Sequence, residues 1–256
     1  MTELIDEGRP AATVVIVRDR PQARPEILMM ERATTMAFAG GALVFPGGGV
    51  DAADRAWAAD MADVADVDEV AARLAAIRET LEESGLGVGF ATSLDQLQLS
   101  EMRAALTAGD SLRAIVEAQR LELALDQLVP FSRWHPARSE NAIRIYDTRF
   151  YAVRAPDGQE ASADATENIR LFWSSAEATI ARCDAGNGRI IFPTRRNLER
   201  LALFDSFADI AAHAASIPVE KIRPWLEERD GQPHLCIPDH LGYPVTSEPI
   251  NLVHRA

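Results

Sequence analysis

Lysine is nearly absent from this sequence, and acidic residues outnumber basic ones. Lys221 is the only lysine among 256 residues, and 26 basic against 39 acidic residues leave a net charge of −13. A field of that sign repels DNA, RNA and anionic lipid, so we expect neither nucleic acid nor a membrane among the partners. Nearly all positive charge is carried by arginine, whose guanidinium group suits bidentate contacts with phosphate.

Cysteine is scarce, and long apolar runs are missing. The two cysteines, Cys183 and Cys236, form neither a C-x-x-C pair nor the spacing of a metal site. No apolar run approaches the ~18 residues of a membrane-spanning helix. The acidic N-terminal segment also lacks the apolar stretch of a secretory signal. These absences predict a cytoplasmic protein with reduced thiols.

The remaining pattern is that of a globular chain, with 47 % hydrophobic and 25 % charged residues. Apolar, β-branched runs predict strands at 11–17, 26–32, 42–45, 86–90, 128–134, 143–153 and 169–173. Helical patterns lie at 52–84, 100–126, 175–182, 195–204 and 207–215, and a hairpin is expected within 233–243. Strands before, between and after helices favour an α/β sandwich with a mixed sheet.

One helix turn carries three carboxylates and holds the most informative motif. Glu79, Glu82 and Glu83 are spaced i, i+3 and i+4, so all three share one helix face. Like charges at these spacings destabilise a helix, whereas a divalent cation with hard oxygen ligands, Mg²⁺ or Mn²⁺, would reverse that cost. Arg78 can pair with a neighbouring carboxylate and hold its rotamer. Gly85 is the expected C-cap of this helix.

The segment from Arg78 to Leu86 resembles the Nudix hydrolase box, G-x5-E-x7-R-E-U-x-E-E-x-G-U, where U is apolar. Gly48, in the glycine-rich turn 46–49, matches the first glycine, and Asp54 stands where the box has its first acid. Thr80 departs from an apolar position. The interval from Gly48 to Leu86 spans 39 residues, which is sixteen more than the family pattern, and the inserted residues 55–70 read as helical. We expect this insertion to loop out from the metal-binding helix.

An interrupted box of this kind resembles the branch of Nudix enzymes that act on coenzyme A. That branch carries L-L-T-x-R-[SA]-x3-R-x3-G-x3-F-P-G-G ahead of the box, and Ala37 replaces its second arginine here. The residues that match this upstream motif in register are Leu28, Arg32, Ala33, Gly41 and Phe45-Pro46-Gly47-Gly48.

The resemblance implies a Nudix α/β/α sandwich that hydrolyses a diphosphate with Mg²⁺ or Mn²⁺. Its domain would span residues 1–216, with helical insertions at about 55–70 and 100–126, and residues 217–256 would pack on it as an extension. The leading substrate is coenzyme A or an acyl-coenzyme A, and a homodimer is common in this family. The implied metal ligands are Glu79, Glu82, Glu83 and the Gly48 carbonyl, with Arg78 supporting them. The implied substrate contacts are Arg32, Gly47, Gly48, Gly49 and Arg144.

Two alternatives to the coenzyme A assignment stay open. Ala37 keeps ADP-ribose, NADH or another nucleoside diphosphate derivative as a substrate, because the 3′-phosphate of coenzyme A lacks one expected arginine. A Nudix-like domain that binds a nucleotide without catalysis is the alternative from another class. A distant acid sometimes acts as base in this family, and the candidates for it are Glu167 and Glu140.

Several weaker candidates are expected to be structural. Arg149 suits a surface face of a strand. Thr194 is the expected cap of a helix whose next two residues, Arg195 and Arg196, form a possible phosphate site. The remaining residues of this group, which we expect to lie in the core or to have a structural role, are Trp134, His135, Trp173 and Phe192.

Overall fold

A mixed β-sheet lies at the centre of the fold, seen in a computed structural model that describes residues 8–33, 41–61, 66–135, 145–163 and 168–253. Within those residues the sheet has eight strands: β1 (Arg9–Arg18), β2 (Glu26–Arg32), β3 (Leu43–Val44), β4 (Gly47–Gly49), β5 (Val129–Trp134), β6 (Tyr146–Arg154), β7 (Asn168–Ser174) and β8 (Lys221–Ile222). Their order is β3-β2-β1-β6-β5-β8, with β4 also paired to β1 and β7 to β2. Strands β1 and β6 run parallel, as do β5 and β8, and the other pairs are antiparallel.

Helices cover both faces of this sheet. Successive residues of a strand point to opposite faces, so Val14 and Ile16 of β1 pack in the core on one face while Val15 and Val17 pack in the core on the other. The helices are α1 (Ala52–Asp60), α2 (Val67–Ser84), α3 (Gln96–Thr107), α4 (Leu112–Gln119), α5 (Ala176–Asp184), α6 (Phe192–Leu201), α7 (Phe207–Ser216) and α8 (Ile250–Val253). Helices α2–α4 bury their apolar residues in the first core, and α5–α7 bury theirs in the second. The predicted α/β/α sandwich with a mixed sheet is therefore confirmed.

Only part of the insertion leaves the carboxylate-bearing helix, so the expectation that all of it loops out was wrong in part: residues 55–60 lie in the separate helix α1, whereas residues 67–70 form the first turn of α2. Helix α2 begins at Val67, capped by the Asp66 side chain, and continues without a break to the left-handed Gly85. Helix α1 lies against it, because Ala58 and Leu74 are completely buried in a shared apolar cluster. The apolar face of α1 is therefore buried against α2.

Two further expectations between 86 and 126 were wrong for reasons of backbone geometry. Residues 86–90 form no strand beyond an isolated bridge from Phe90 to Leu123, since Gly89 has a φ of +72° and lies against Ile77 and Leu128. The predicted helix at 100–126 is two helices, α3 and α4. They are separated at Gly109, whose φ is +99°.

The C-terminal residues add a small sheet and complete the second core. Its strands, in the order β11-β10-β9, are β9 (Trp225–Arg229), β10 (Gln232–Cys236) and β11 (Ser247–Pro249). The hairpin therefore turns at Asp230 and Gly231, both with positive φ, and not within 233–243 as predicted. Tyr243 is buried in the second core and accepts a hydrogen bond of 3.1 Å from the Trp134 indole.

The division of the chain into residues 1–216 and 217–256 stays a prediction. Among the described residues, every helix is too short or too polar to cross a membrane.

Candidate functional site

A glycine turn and a helix meet at the edge of the sheet where β4 pairs with β1. The Gly47 N–H donates a hydrogen bond of 2.8 Å to Glu83 Oε2, which joins the turn to α2. A Cβ on Gly47 would overlap the Ala12 carbonyl oxygen, and a Cβ on Gly48 would overlap the Glu79 carboxylate. The close approach of this backbone to the carboxylates therefore requires glycine at both positions.

Arg78 lies at the centre of the carboxylates. Its Nη2 donates to Asp54 Oδ2 at 2.8 Å and to the Gly49 carbonyl at 2.9 Å. Its Nη1 donates to Glu79 Oε1 at 2.8 Å and to Glu82 Oε2 at 3.3 Å. One guanidinium group therefore joins the glycine turn, α1 and α2, which supports the predicted role of Arg78 in holding carboxylate rotamers.

Asp54 has a second role at the start of α1. It is 3 % exposed, and it forms a reciprocal capping box with Asp51, in which each side chain accepts from the other residue's backbone N–H. A carboxylate that both caps α1 and pairs with Arg78 couples the insertion to the carboxylate cluster.

The cluster contains more negative charge than one arginine neutralises. Burial raises the pKa of Glu79 to about 7, even though Arg78 acts in the opposite direction. Burial likewise raises the pKa of Glu82 and of Asp54 against the influence of Arg78. Perturbed carboxylates in a cleft are typical of sites that bind a cation or exchange protons.

The three glutamates suit a hard divalent cation, although in their present rotamers they accept hydrogen bonds from groups of the protein. Glu79, Glu82 and Glu83 all leave one face of α2, and carboxylate oxygens are the ligands that Mg²⁺ and Mn²⁺ prefer. Within the part of the chain that the structure describes, no three acidic, histidine or cysteine side chains are arranged as a metal cage. The reason is that Glu79 and Glu82 accept from Arg78, while Glu83 accepts from Gly47. Rotation of side chains already on one face would bring the three together.

A cleft of about 330 Å³ opens beside the glycine turn and is lined by Glu79, Glu83 and residues 47–49. Arg32, at the end of β2, also lines it. The structure therefore brings Arg32, Gly47, Gly48 and Gly49 to one cleft with two of the three glutamates. Glu82 is not among the lining residues of the cleft, but Arg78 Nη1 joins it to Glu79, which lines the cleft.

Some lining residues were not anticipated from the sequence. Tyr146, Thr148 and Phe150 alternate along β6 and face the cleft, and Ile191 and Thr194 reach it from the start of α6. Alternation with a period of two is the signal that could have identified the three β6 residues. Their distance from the glycine turn in sequence hides the contact.

Several predicted site residues are placed elsewhere or lie outside the described residues. Glu140, Arg144 and Glu167 fall outside them. Arg149 pairs with Glu69 at 3.1 Å and its side chain is 11 % exposed, so it has a structural partner as expected, but the prediction that it lies on a surface face was wrong.

The predicted N-cap of α6 was wrong, and the two arginines of the possible phosphate site beside it are paired with carboxylates. The N-cap is Ile191 and not Thr194, because α6 begins at Phe192 with Pro193 in its first turn. Arg195 pairs with Asp184 at 2.7 Å. Arg196 is 1 % exposed and pairs with Glu248 at 3.0 Å, so both arginines are held by carboxylates. The remaining candidates are placed as expected, since Trp134, His135 and Phe192 are buried and Trp173 lies under the Arg18 guanidinium.

Known hydrolases are similar to this chain in sequence and in fold. No protein-family model matches the chain. The chain is 28 % identical over 294 aligned residues to the acyl-coenzyme A diphosphatase NUDT19 of Gallus gallus, with 88 % of this chain and 76 % of that protein covered. The structure is also similar to that of a NUDIX hydrolase from Alicyclobacillus acidocaldarius, with a TM-score of 0.70 and 26 % identity over 81 % of this chain and 97 % of that one.

Proposed function

Since the chain is a Nudix hydrolase, we propose that it is a Mg²⁺- or Mn²⁺-dependent diphosphatase that acts on coenzyme A or an acyl-coenzyme A. The products would be 3′,5′-ADP and 4′-phosphopantetheine or its acylated form. The observation that carries this proposal is the three-glutamate face of α2, held against a glycine turn at the floor of a cleft. The similarity to an acyl-coenzyme A diphosphatase over most of the chain supports the substrate class.

The residues of the chain have distinct roles in this reaction. Glu79, Glu82 and Glu83 would hold the divalent cation, together with the Gly48 carbonyl. A bound Mg²⁺ lowers the pKa of its water and offsets charge on phosphate oxygens. Gly47 positions the Glu83 carboxylate through its N–H. Arg78 keeps Glu79 and Glu82 in place and partly neutralises them.

Substrate contacts follow from the lining of the cleft. Arg32 at the end of β2 supplies positive charge to a substrate phosphate, because a guanidinium group binds phosphate oxygens in pairs. The glycine turn allows the diphosphate to approach the backbone without hindrance from a Cβ. The aromatic rings of Tyr146 and Phe150 line the same cleft, and Tyr146, which is only partly buried, is the one that can contact a nucleobase.

A product assay tests the proposal directly. The protein is incubated with Mg²⁺ and, in parallel, with coenzyme A, acetyl-coenzyme A, ADP-ribose and NADH, and a Glu82→Gln variant is the negative control. Release of 3′,5′-ADP from the two coenzyme A compounds by the wild type alone is the expected result. AMP from ADP-ribose or NADH alone would refute the coenzyme A assignment and retain a diphosphatase.

If no product forms from any of the four substrates, a second measurement is required. Thermal melting with and without millimolar Mg²⁺ then reports cation binding independently of catalysis, since a ligand that binds only the folded state stabilises it. The absence of a melting shift would contradict the metal-site assignment and favour a nucleotide-binding domain without catalysis.

A further inference from the structure

A second pocket, which we call the α1 pocket, is lined by Arg78 and Glu82 of the carboxylate cluster. It has a volume of about 230 Å³ and is also lined by Ala53 and Trp57 of α1 and by the turn 109–111 between α3 and α4. Of these residues, Trp57 belongs to the insertion in the box, and the turn 109–111 follows the box in the sequence.

The α1 pocket is lined by both apolar and acidic side chains. Leu106 and Leu112 are buried beside the half-buried Trp57 ring, which gives a surface for alkyl groups. Acceptor oxygens come from the carboxylates that line the pocket, which are Asp51, Asp54, Glu82 and Asp110.

The two arginines of the α1 pocket are held by carboxylates. Arg78 is bonded to Asp54, Glu79 and Glu82, and Arg113 pairs with Asp60 and with Glu117. The pocket therefore favours a neutral ligand that donates hydrogen bonds, and it disfavours a phosphate.

The α1 pocket and the cleft meet at the carboxylate cluster. Arg78 Nη1 donates both to Glu79, which lines the cleft, and to Glu82, which lines the α1 pocket. A diphosphate bound at these glutamates would have the cleft and the α1 pocket as its two neighbouring cavities. The two cavities differ in charge, because Arg32 lines only the cleft.

We propose that the α1 pocket receives the pantetheine arm of the substrate and that the cleft receives the 3′,5′-ADP half; this rests on the proposed function. The arm is uncharged, and its two amide N–H groups match carboxylate acceptors while its methyl and methylene groups match the Trp57 wall. The nucleotide half carries its additional phosphate, which the acidic α1 pocket rejects. Trp57, which the insertion supplies, thereby acts as a specificity-determining residue.

The test fills the α1 pocket without removing a packed side chain. Ala53 is exposed in the first turn of α1 and lines the pocket, whereas Ala56, exposed on the same helix, does not. In Ala53→Phe, we expect the KM for coenzyme A and the Kd of 4′-phosphopantetheine with Mg²⁺, measured by calorimetry, each to rise about tenfold, a loss typical of one blocked contact region. The Kd of 3′,5′-ADP and both parameters in Ala56→Phe should stay at wild-type values, with equal melting temperatures for the two variants.

Each other outcome overturns a specific statement. Equal 4′-phosphopantetheine affinity in Ala53→Phe and Ala56→Phe would refute the assignment of the α1 pocket. Selective loss of 3′,5′-ADP affinity in Ala53→Phe would reverse the orientation of the substrate. Failure of the wild type to cleave coenzyme A would refute the proposed function itself, and the calorimetric comparison with the two half-products would still decide which ligand the pocket takes.

Discussion

Two ion clusters in this molecule use the same residue types and have opposite charge balance. In the first, Arg78 is the single cation among Asp54, Glu79 and Glu82. In the second, Asp147 of β6 is a single carboxylate between two cations, because it accepts bidentately from Arg133 of β5 at 2.8 and 2.7 Å and pairs with Lys221 of β8 at 2.6 Å.

The balance of charge sets the pKa of each carboxyl group in opposite directions. Burial raises the pKa of Glu79 to about 7, and one arginine does not reverse it. Burial also acts to raise the pKa of Asp147, but Arg133 and Lys221 together lower it to about 2. Asp147, which has two cationic partners, is stabilised as a carboxylate and links strands β5, β6 and β8. The carboxylates around Arg78 share one cation, so they retain the capacity to bind another cation. We therefore expect the function of the protein to reside in the Arg78 cluster.

The largest expected difference between the clusters is in catalysis. Glu82→Gln removes a carboxylate from the cation-deficient cluster and should lower kcat by about 10²–10⁴-fold, the range seen when one catalytic group is lost. Asp147→Asn changes the same chemical group in the cation-rich cluster and should leave kcat close to the wild-type value. Steady-state turnover of the substrate identified by the product assay is the measurement, with circular dichroism to verify folding. Equal losses in the two variants would show that charge balance does not mark the functional cluster.

The next effect is on stability and concerns the lone cation. Arg78→Gln leaves three carboxylates facing one another, so the metal-free protein should lose about 3–5 kcal/mol of unfolding free energy, the usual cost of removing one partner from a buried ion pair. Mg²⁺ should recover part of this loss. The control is Arg55→Gln, whose partner Asp68 is exposed, and it should change stability by ~0.5 kcal/mol or less. Urea unfolding that gave the same small loss for both variants would contradict the central role of Arg78.

The local part of the candidate site could be predicted from the sequence, because a helix period relates residues three and four positions apart. Glu79, Glu82 and Glu83 share a face, Gly85 ends the helix, and the glycine turn approaches a carboxylate. Contacts between residues far apart in the sequence have no such periodic pattern to indicate them. Lys221 and Asp147 meet only because β8 pairs with β5 beside β6, and nothing in their sequence neighbourhoods indicates it.

The errors in the fold have local physical reasons as well. Gly87 and Gly89 sit against side chains of Leu99 and Ile77, so a segment with apolar alternation packs as irregular chain instead of a strand. The hairpin turn at Asp230-Gly231 did carry a signal, since this dipeptide favours two positive φ angles in a tight turn. The position of the hairpin turn could therefore have been predicted from this dipeptide.

A smaller effect distinguishes the clusters by the pH dependence of stability. Because the pKa of Glu79 is raised from 4.5 to about 7 in the folded protein, the folded state holds a proton that the unfolded chain has released over this range. The unfolding free energy of the metal-free protein should therefore fall as the pH rises from about 4.5 to about 7, by on the order of 3 kcal/mol. Glu79→Gln should remove the largest part of this decrease, since only the raised pKa values of Glu82 and Asp54 then contribute to it, and Glu101→Gln on the exposed face of α3 should retain it in full. Persistence of the full slope in Glu79→Gln would show that another group causes it.

The smallest expected effect has the opposite sign and comes from Asp147. Its pKa is lowered from 3.8 to about 2, so its stabilisation is complete above about pH 4 and is lost as the pH falls toward 2. Asp147→Asn should reduce the unfolding free energy at neutral pH by about 2 kcal/mol and should flatten the acid limb of the stability curve. The exposed Asp157 provides the control, since Asp157→Asn should leave both unchanged. If Asp147→Asn kept the acid limb, the two clusters would not differ in the sign of their linkage to protons, and the contrast between a structural and a functional carboxylate would have to rest on catalysis alone.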